Sequence, residues 1–175
     1  MMSYASPEPC NLSRDQISTL AEQIAKELNY VIGSDPVEFV ETIGGEVFFQ
    51  DLWEMSISSS GSIVIDGINN FKIYLGLHTS SRRDRFTIGH ELGHYFLHYL
   101  LPYSNNQVVG PLQAARYGDG RTEYEANWFS AAFLMPQEKF KKKYHESTSL
   151  DEVADYFGVS KSAAEIRSKI LNLSR

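Results

Sequence analysis

The sequence predicts a single α+β domain in which a small, mostly antiparallel sheet packs on a buried helix and a short helical segment follows. Three observations predict it. Apolar residues recur at helical spacing near the N-terminus, strand-like runs bounded by turn residues fill residues 46–77, and helical spacing returns from Arg85 onward. Composition agrees with a packed chain: over 175 residues, 42% are apolar and 22% charged, the balance of globular rather than disordered sequences.

Residues 1–11 contain prolines and no apolar run, and are expected to form a mobile leader. Leu12-Ser13-Arg14-Asp15 then opens a helix carrying Ile17, Leu20, Ala21, Ile24, Ala25 and Leu28 on one side. A shorter helix starts after Asp35-Pro36, since proline suits a first helical position, and stops at Gly44-Gly45. Strands are expected over 46–52, 62–66 and 71–77, separated by Ser-Gly and Asp-Gly-Ile-Asn-Asn turn chemistry.

Helical periodicity over 85–101 should end at Pro102. It recurs over 122–135, and Pro136 halts that run and opens another helix through Tyr144. Residues 102–120 show no period, and read either as a lid over a site or as a surface insertion. The tail over 146–175 is expected to be helical, with two short helices within 150–171 joined at Phe157-Gly158-Val159-Ser160 and Ser160 as a cap. That is also how a DNA-binding helix-turn-helix reads.

Several function classes recede on composition. Cys10 is the only cysteine, so no intramolecular disulfide forms, which fits a reducing compartment and an expected cytoplasmic location. The first ten residues lack the basic start and apolar run of a signal peptide, and no segment is long and apolar enough to span a bilayer. The net charge of -6 argues against the broad positive surface that nucleic-acid binding needs. In the tail, Asp151, Glu152, Asp155 and Glu165 balance Lys161, Arg167, Lys169 and Arg175, so direct DNA binding is not expected there. The basic run of Lys139, Lys141, Lys142 and Lys143 reads as a solvated helix face.

The chemistry concentrates in His90-Glu91-Leu92-Gly93-His94. On a helix, residues four apart lie one turn above each other, so His90 and His94 can aim ring nitrogens at one ion while Glu91 lies beside them. Neutral imidazoles hold zinc, and a nearby carboxylate can take a proton from an activated water attacking a peptide carbonyl, which makes Glu91 the expected general base. Ile88, Leu92, Tyr95, Phe96 and Leu97 make this helix strongly apolar, so the histidines are expected to be buried and to need a partner. Gly93 within the helix implies a close-packed neighbour.

A third protein ligand is expected from Glu123-Tyr124-Glu125-Ala126-Asn127. Glu123 is favoured because Asn127 shares its face and can hydrogen-bond a ligand histidine; Glu125 is the alternative. His98 lies one turn beyond His94, too far along the axis to share an ion with His90, and is expected to support the site or the fold. Tyr95, Tyr99, Tyr117 and Tyr124 are the candidates in reach for stabilising an oxyanion, none singled out by the sequence.

The run from Arg85 to His94, then His98, then Glu123 to Pro136, resembles the ImmA/IrrE metallopeptidase family. The tail segments 153–160 and 163–167 are similar to the region C-terminal to these motifs in such proteins, so the likeness covers about residues 85–171. Gly89 and Ser130 stand where the family often has alanine. The resemblance implies a zincin-like metallopeptidase domain and a zinc-dependent endopeptidase acting on a regulatory protein, commonly a helix-turn-helix transcriptional repressor. The alternatives are a metal-binding regulator without turnover and, less favoured, a DNA-binding regulator acting through the tail.

Overall fold

The computed structural model describes residues 3–50, 62–115 and 120–174. Helix α1 (Arg14–Glu27) begins at Ser13, whose hydroxyl accepts from the Gln16 N–H while the Gln16 side chain accepts from the Ser13 N–H, a reciprocal cap. Helix α2 (Pro36–Thr42) starts on the Asp35 carboxylate with proline in its first turn, and Gly44 leaves it at φ 82°. Both helices lie where periodicity predicts them.

Strands β1 (Gly45–Gln50), β2 (Ser62–Gly67), β3 (Asn70–Gly76) and β4 (Leu112–Ala115) form one sheet in the order β1-β3-β2-β4. Strands β2 and β3 make a hairpin across the expected turn, and β2 also pairs antiparallel with β4. The pairing of β1 with β3 is parallel, so the sheet is mixed, although two of its three pairings are antiparallel as expected. The end of the first expected strand, residues 51 and 52, lies outside the described residues.

The expected lid region 102–120 contains β4 and a helical turn, α4 (Leu101–Ser104). Only four residues long, β4 is too short to show an alternating period, and its place comes from pairing with β2. The leader, expected to be mobile, runs beside this strand: Ala5 N–H donates to the Pro111 carbonyl and Gln113 N–H to the Ala5 carbonyl, both at 2.9 Å.

One face of the sheet, bearing Ile63, Ile65, Phe71, Ile73 and Leu75, is buried. Helix α3 (Ser81–Gly93) and the π-helical segment that continues it (His94–Leu100) supply the opposing layer, with Tyr95 stacked on Phe71 at 4.2 Å between ring centroids. Helix α3 starts four residues earlier than periodicity implies, because Ser80 caps it and its first turn is polar. Nor does the helix stop at Pro102. The preceding turn closes from the Leu101 N–H to the Phe96 carbonyl, five residues back, and this wider spacing relieves the clash a proline ring meets in an α-helix.

Helix α5 (Arg121–Leu134) packs along α3 on one side and α1 on the other. Its approach to α3 is close: a β-carbon at Gly93 would sit 2.8 Å from the Ala126 α-carbon, and one at Gly89 would sit 2.5 Å from the Ser130 hydroxyl. Gly89 and Ser130 therefore face each other, and the glycine makes room for the hydroxyl.

Helices α6 (Gln137–Glu146), α7 (Leu150–Phe157) and α8 (Lys161–Ile170) complete the chain. Gly158 at φ 65° and the Ser160 cap form the expected corner between α7 and α8. Arg167 on α8 is buried and donates to the Met135 carbonyl at 3.0 Å, which ties the tail to the end of α5. Among the described residues, no helix is long and apolar enough to cross a membrane.

Candidate metal centre

Helix α3 and its π-helical continuation carry His90, Glu91, His94 and His98, all buried at 3% exposure or less. Helix α5 lies against them and contributes Glu123, Glu125 and Asn127. The rotation that spacing leaves open is set by the close contacts of Gly93 with Ala126 and of Gly89 with Ser130. With α5 so turned, Glu123 meets the first two histidines and Glu125 meets His98.

His90 Nε2 and His94 Nε2 are 3.2 Å apart. The Glu123 carboxylate faces both, with Oε2 3.2 Å from His90 Nε2 and Oε1 3.3 Å from His94 Nε2. The outer nitrogens decide what these inner atoms are. His90 Nδ1 lies 2.9 Å from Asn127 Oδ1, an acceptor, so Nδ1 carries a proton and Nε2 is the nitrogen turned inward.

His94 reaches the same state through a longer chain. His98 Nε2 lies 3.0 Å from the Glu125 carboxylate, which only accepts, so His98 Nε2–H donates and its Nδ1 is a lone pair. That lone pair lies 3.0 Å from His94 Nδ1, which must then donate, leaving His94 Nε2 as an inward lone pair. Burial pushes the His94 imidazole down to about 4 and the His98 imidazole in the same direction, so both rings are neutral near pH 7. Burial also works against the Glu123 carboxylate, but its contacts with His90 and His94 outweigh this and hold it well below the usual carboxylate range.

The Nε2 atoms of His90 and His94 and the Glu123 carboxylate thus converge within about 3.3 Å. Buried acceptors so arranged repel one another unless a cation sits among them, and the donor set of two imidazoles and one carboxylate suits a divalent metal with an open position. His90, His94 and Glu123 can hold such an ion. Glu91, 1% exposed, lies between the two histidines in sequence and on the same buried helix.

Glu125, the alternative ligand, is differently engaged. It accepts from the backbone N–H groups of Cys10 and Asn11 at 2.9 and 3.0 Å, from Arg121 at 2.8 Å and from His98. Cys10, His98 and Glu125 nonetheless bring ligating atoms together, a cluster not foreseen from the sequence. Its one legible part was Arg121 four residues before Glu125; the contact with Cys10 spans 115 positions. Of the tyrosines, Tyr95 accepts from the Asn69 N–H at 3.0 Å within the core, Tyr99 is buried beside it, and Tyr124 is exposed next to Glu123. Tyr117 lies outside the described residues.

A mixed α/β domain with an HExxH helix and a glutamate from the facing helix defines a metallopeptidase-like protein. The family model for the IrrE N-terminal-like domain, Peptidase_M78, matches residues 46–169, and the chain belongs to this family of metallopeptidases. Among solved structures, the chain is similar to a Mycobacterium tuberculosis transcriptional regulator, with a TM-score of 0.58 at 15% identity over 89% of this chain, a likeness of fold. The chain covers 46% of that protein's length. No curated protein matches the sequence.

Proposed function

We propose that this chain is a zinc-dependent endopeptidase that cuts a peptide bond in a regulatory protein, a helix-turn-helix transcriptional repressor being the class the family resemblance implies. The observation that carries the reading is the convergence of His90 Nε2, His94 Nε2 and Glu123 with their outer nitrogens already committed to Asn127 and His98. His90, His94 and Glu123 would hold the ion, which supplies Lewis acidity toward a carbonyl and lowers the pKa of water. Glu91 takes the proton from the attacking water and delivers it to the leaving amine. Asn127 and the His98–Glu125 pair keep the two ligand rings in the tautomer that binds metal.

Zinc is the metal that the family resemblance implies, and two imidazoles with one carboxylate are a donor set that zinc takes. A protein partner, rather than DNA, is supported by the tail: Lys161 is paired with Asp151 at 2.7 Å and Lys169 with Glu165 at 2.9 Å, leaving few cations for phosphates. A cytoplasmic location is supported by the single cysteine.

Glu91→Gln separates the roles. The variant is expected to retain about one zinc per chain while cleavage of a cognate repressor falls by roughly 100-fold or more, the usual scale for a general base. Loss of zinc in that variant would contradict the assigned role. The second reading, a metal-binding regulator without turnover, draws on the mycobacterial neighbour being named a transcriptional regulator. It predicts an intact repressor in the same assay with zinc-loaded wild type.

A further inference from the structure

Beside the metal centre, the first turn of α3, the outer face of α5 and the length of α8 enclose a groove of about 600 Å³. Its apolar surface comes from Phe86, Trp128, Met135, Ile166 and Ile170. Trp128 stacks on the exposed Tyr124, and Ile166 is 56% exposed, a large apolar side chain left facing solvent. Asn127 lines the groove and also holds His90 Nδ1, so whatever fills the groove rests against the support of a candidate metal ligand.

Its charge is one-sided. Arg82, Arg83 and Arg167 line it, and among the described residues no aspartate or glutamate does. That is against the trend of a chain with 22 acidic and 16 basic residues. Arg82 is paired with Asp155, and Arg167 is buried against the Met135 carbonyl with Glu22 nearby. Arg83 is exposed and makes no ion pair among the described residues. The N-termini of α3 and α8, capped by Ser80 and Ser160, both open onto the same groove and add partial positive charge.

We infer that this groove docks an acidic, apolar segment of a protein, with a carboxylate on Arg83 and leucine- or phenylalanine-like side chains against Trp128 and Ile166. The occupant follows from charge complementarity: the exposed Arg83 between two helix N-termini selects a carboxylate, and the aliphatic Met135, Ile166 and Ile170 beside it offer a surface for apolar side chains. That the segment belongs to the substrate rests on the proposed peptidase; that the groove binds it does not.

The test uses zinc-loaded Glu91→Gln protein and two fluorescein-labelled synthetic peptides, one of leucine and glutamate and one with lysine at every glutamate. Fluorescence anisotropy should show saturable binding of the glutamate peptide and at least about tenfold weaker binding of the lysine peptide. Arg83→Glu should weaken the glutamate peptide by about tenfold and favour the lysine peptide, and Ile166→Asp should weaken both, with zinc content unchanged in each variant. Equal binding of the two peptides, no saturable binding, indifference to Arg83→Glu, or displacement of the peptide by duplex DNA would overturn the inference. Because zinc content and repressor cleavage are read separately, peptide binding without cleavage would sink the peptidase and leave the groove, and the converse would sink the groove alone.

Discussion

His94 and His98 are one turn apart on the same helical segment, both rings are buried, and each belongs to a cluster completed by a glutamate from α5. The first cluster, with His90 and Glu123, is short of protons. The second, with Cys10 and Glu125, is saturated with them: the Glu125 oxygens receive four N–H groups, from Cys10, Asn11, Arg121 and His98. The Cys10 thiol is pushed up to about 11, chiefly by burial and further by the Glu125 carboxylate, so without a metal it is protonated at neutral pH.

The difference goes beyond local charge, because the two clusters share one proton between His94 Nδ1 and His98 Nδ1, 3.0 Å apart. If it sits on His94, the His94 Nε2 can take metal while the His98 Nε2–H donates to Glu125. If it sits on His98, the roles reverse. Two neutral rings so joined cannot both offer Nε2 to a cation, and the saturated Glu125 assigns the proton to His94. Nearness of ligating atoms does not make a metal site; the hydrogen bonds around them decide.

The comparison breaks most visibly if the wrong carboxylate carries the metal. His94→Ala and Glu123→Ala should each lower bound zinc from about one per chain to background, measured by plasma mass spectrometry on purified protein. Retention in Glu123→Ala together with loss in Glu125→Ala would reverse the assignment of the two clusters.

A subtler effect is expected at the second cluster. Glu125→Gln and His98→Ala should keep the zinc but bind it about 10- to 100-fold more weakly in competition with a chelator, the range for groups that orient a ligand histidine. Affinity unchanged in both would reduce this cluster to an anchor for the leader.

Acid should act on both clusters in one direction. His94, at about 4 when folded against 6.5 as its ordinary value, stays neutral in the native protein but takes a proton in the unfolded chain. Its contribution is therefore whole above about pH 6.5 and is lost as pH falls toward 4; His98 is shifted the same way, and the depressed Glu123 and Glu125 lose theirs lower still. The melting temperature of metal-free protein should fall between pH 7 and pH 5, and fall less steeply in His94→Gln.

The smallest effects concern the contact that sets the geometry. Gly93→Ala forces a β-carbon onto the Ala126 backbone and should cost about 1–3 kcal/mol in urea unfolding. Gly89→Ala meets the Ser130 hydroxyl most closely, so Ser130→Ala in the same chain should recover part of its cost. Strict additivity of the two would mean that the residues do not meet.

What the sequence determined by itself was whatever depends on spacing within one element. His90 and His94 share a face because four residues make about one turn, and Glu123 shares a face with Asn127 for the same reason. The Ser160 cap, the helix starts near Ser13 and Asp35 and the need for a close neighbour at Gly93 were legible on the same local grounds. The tertiary structure decided what depends on contacts between distant segments: the parallel β1–β3 pairing, strand β4, the π-turn that lets the helix pass Pro102, and the leader held by Glu125. It also decided how α5 is rotated, hence which of two glutamates two residues apart faces the histidines. Spacing fixes the angle between side chains on one helix, but only packing against a second helix fixes where that angle points.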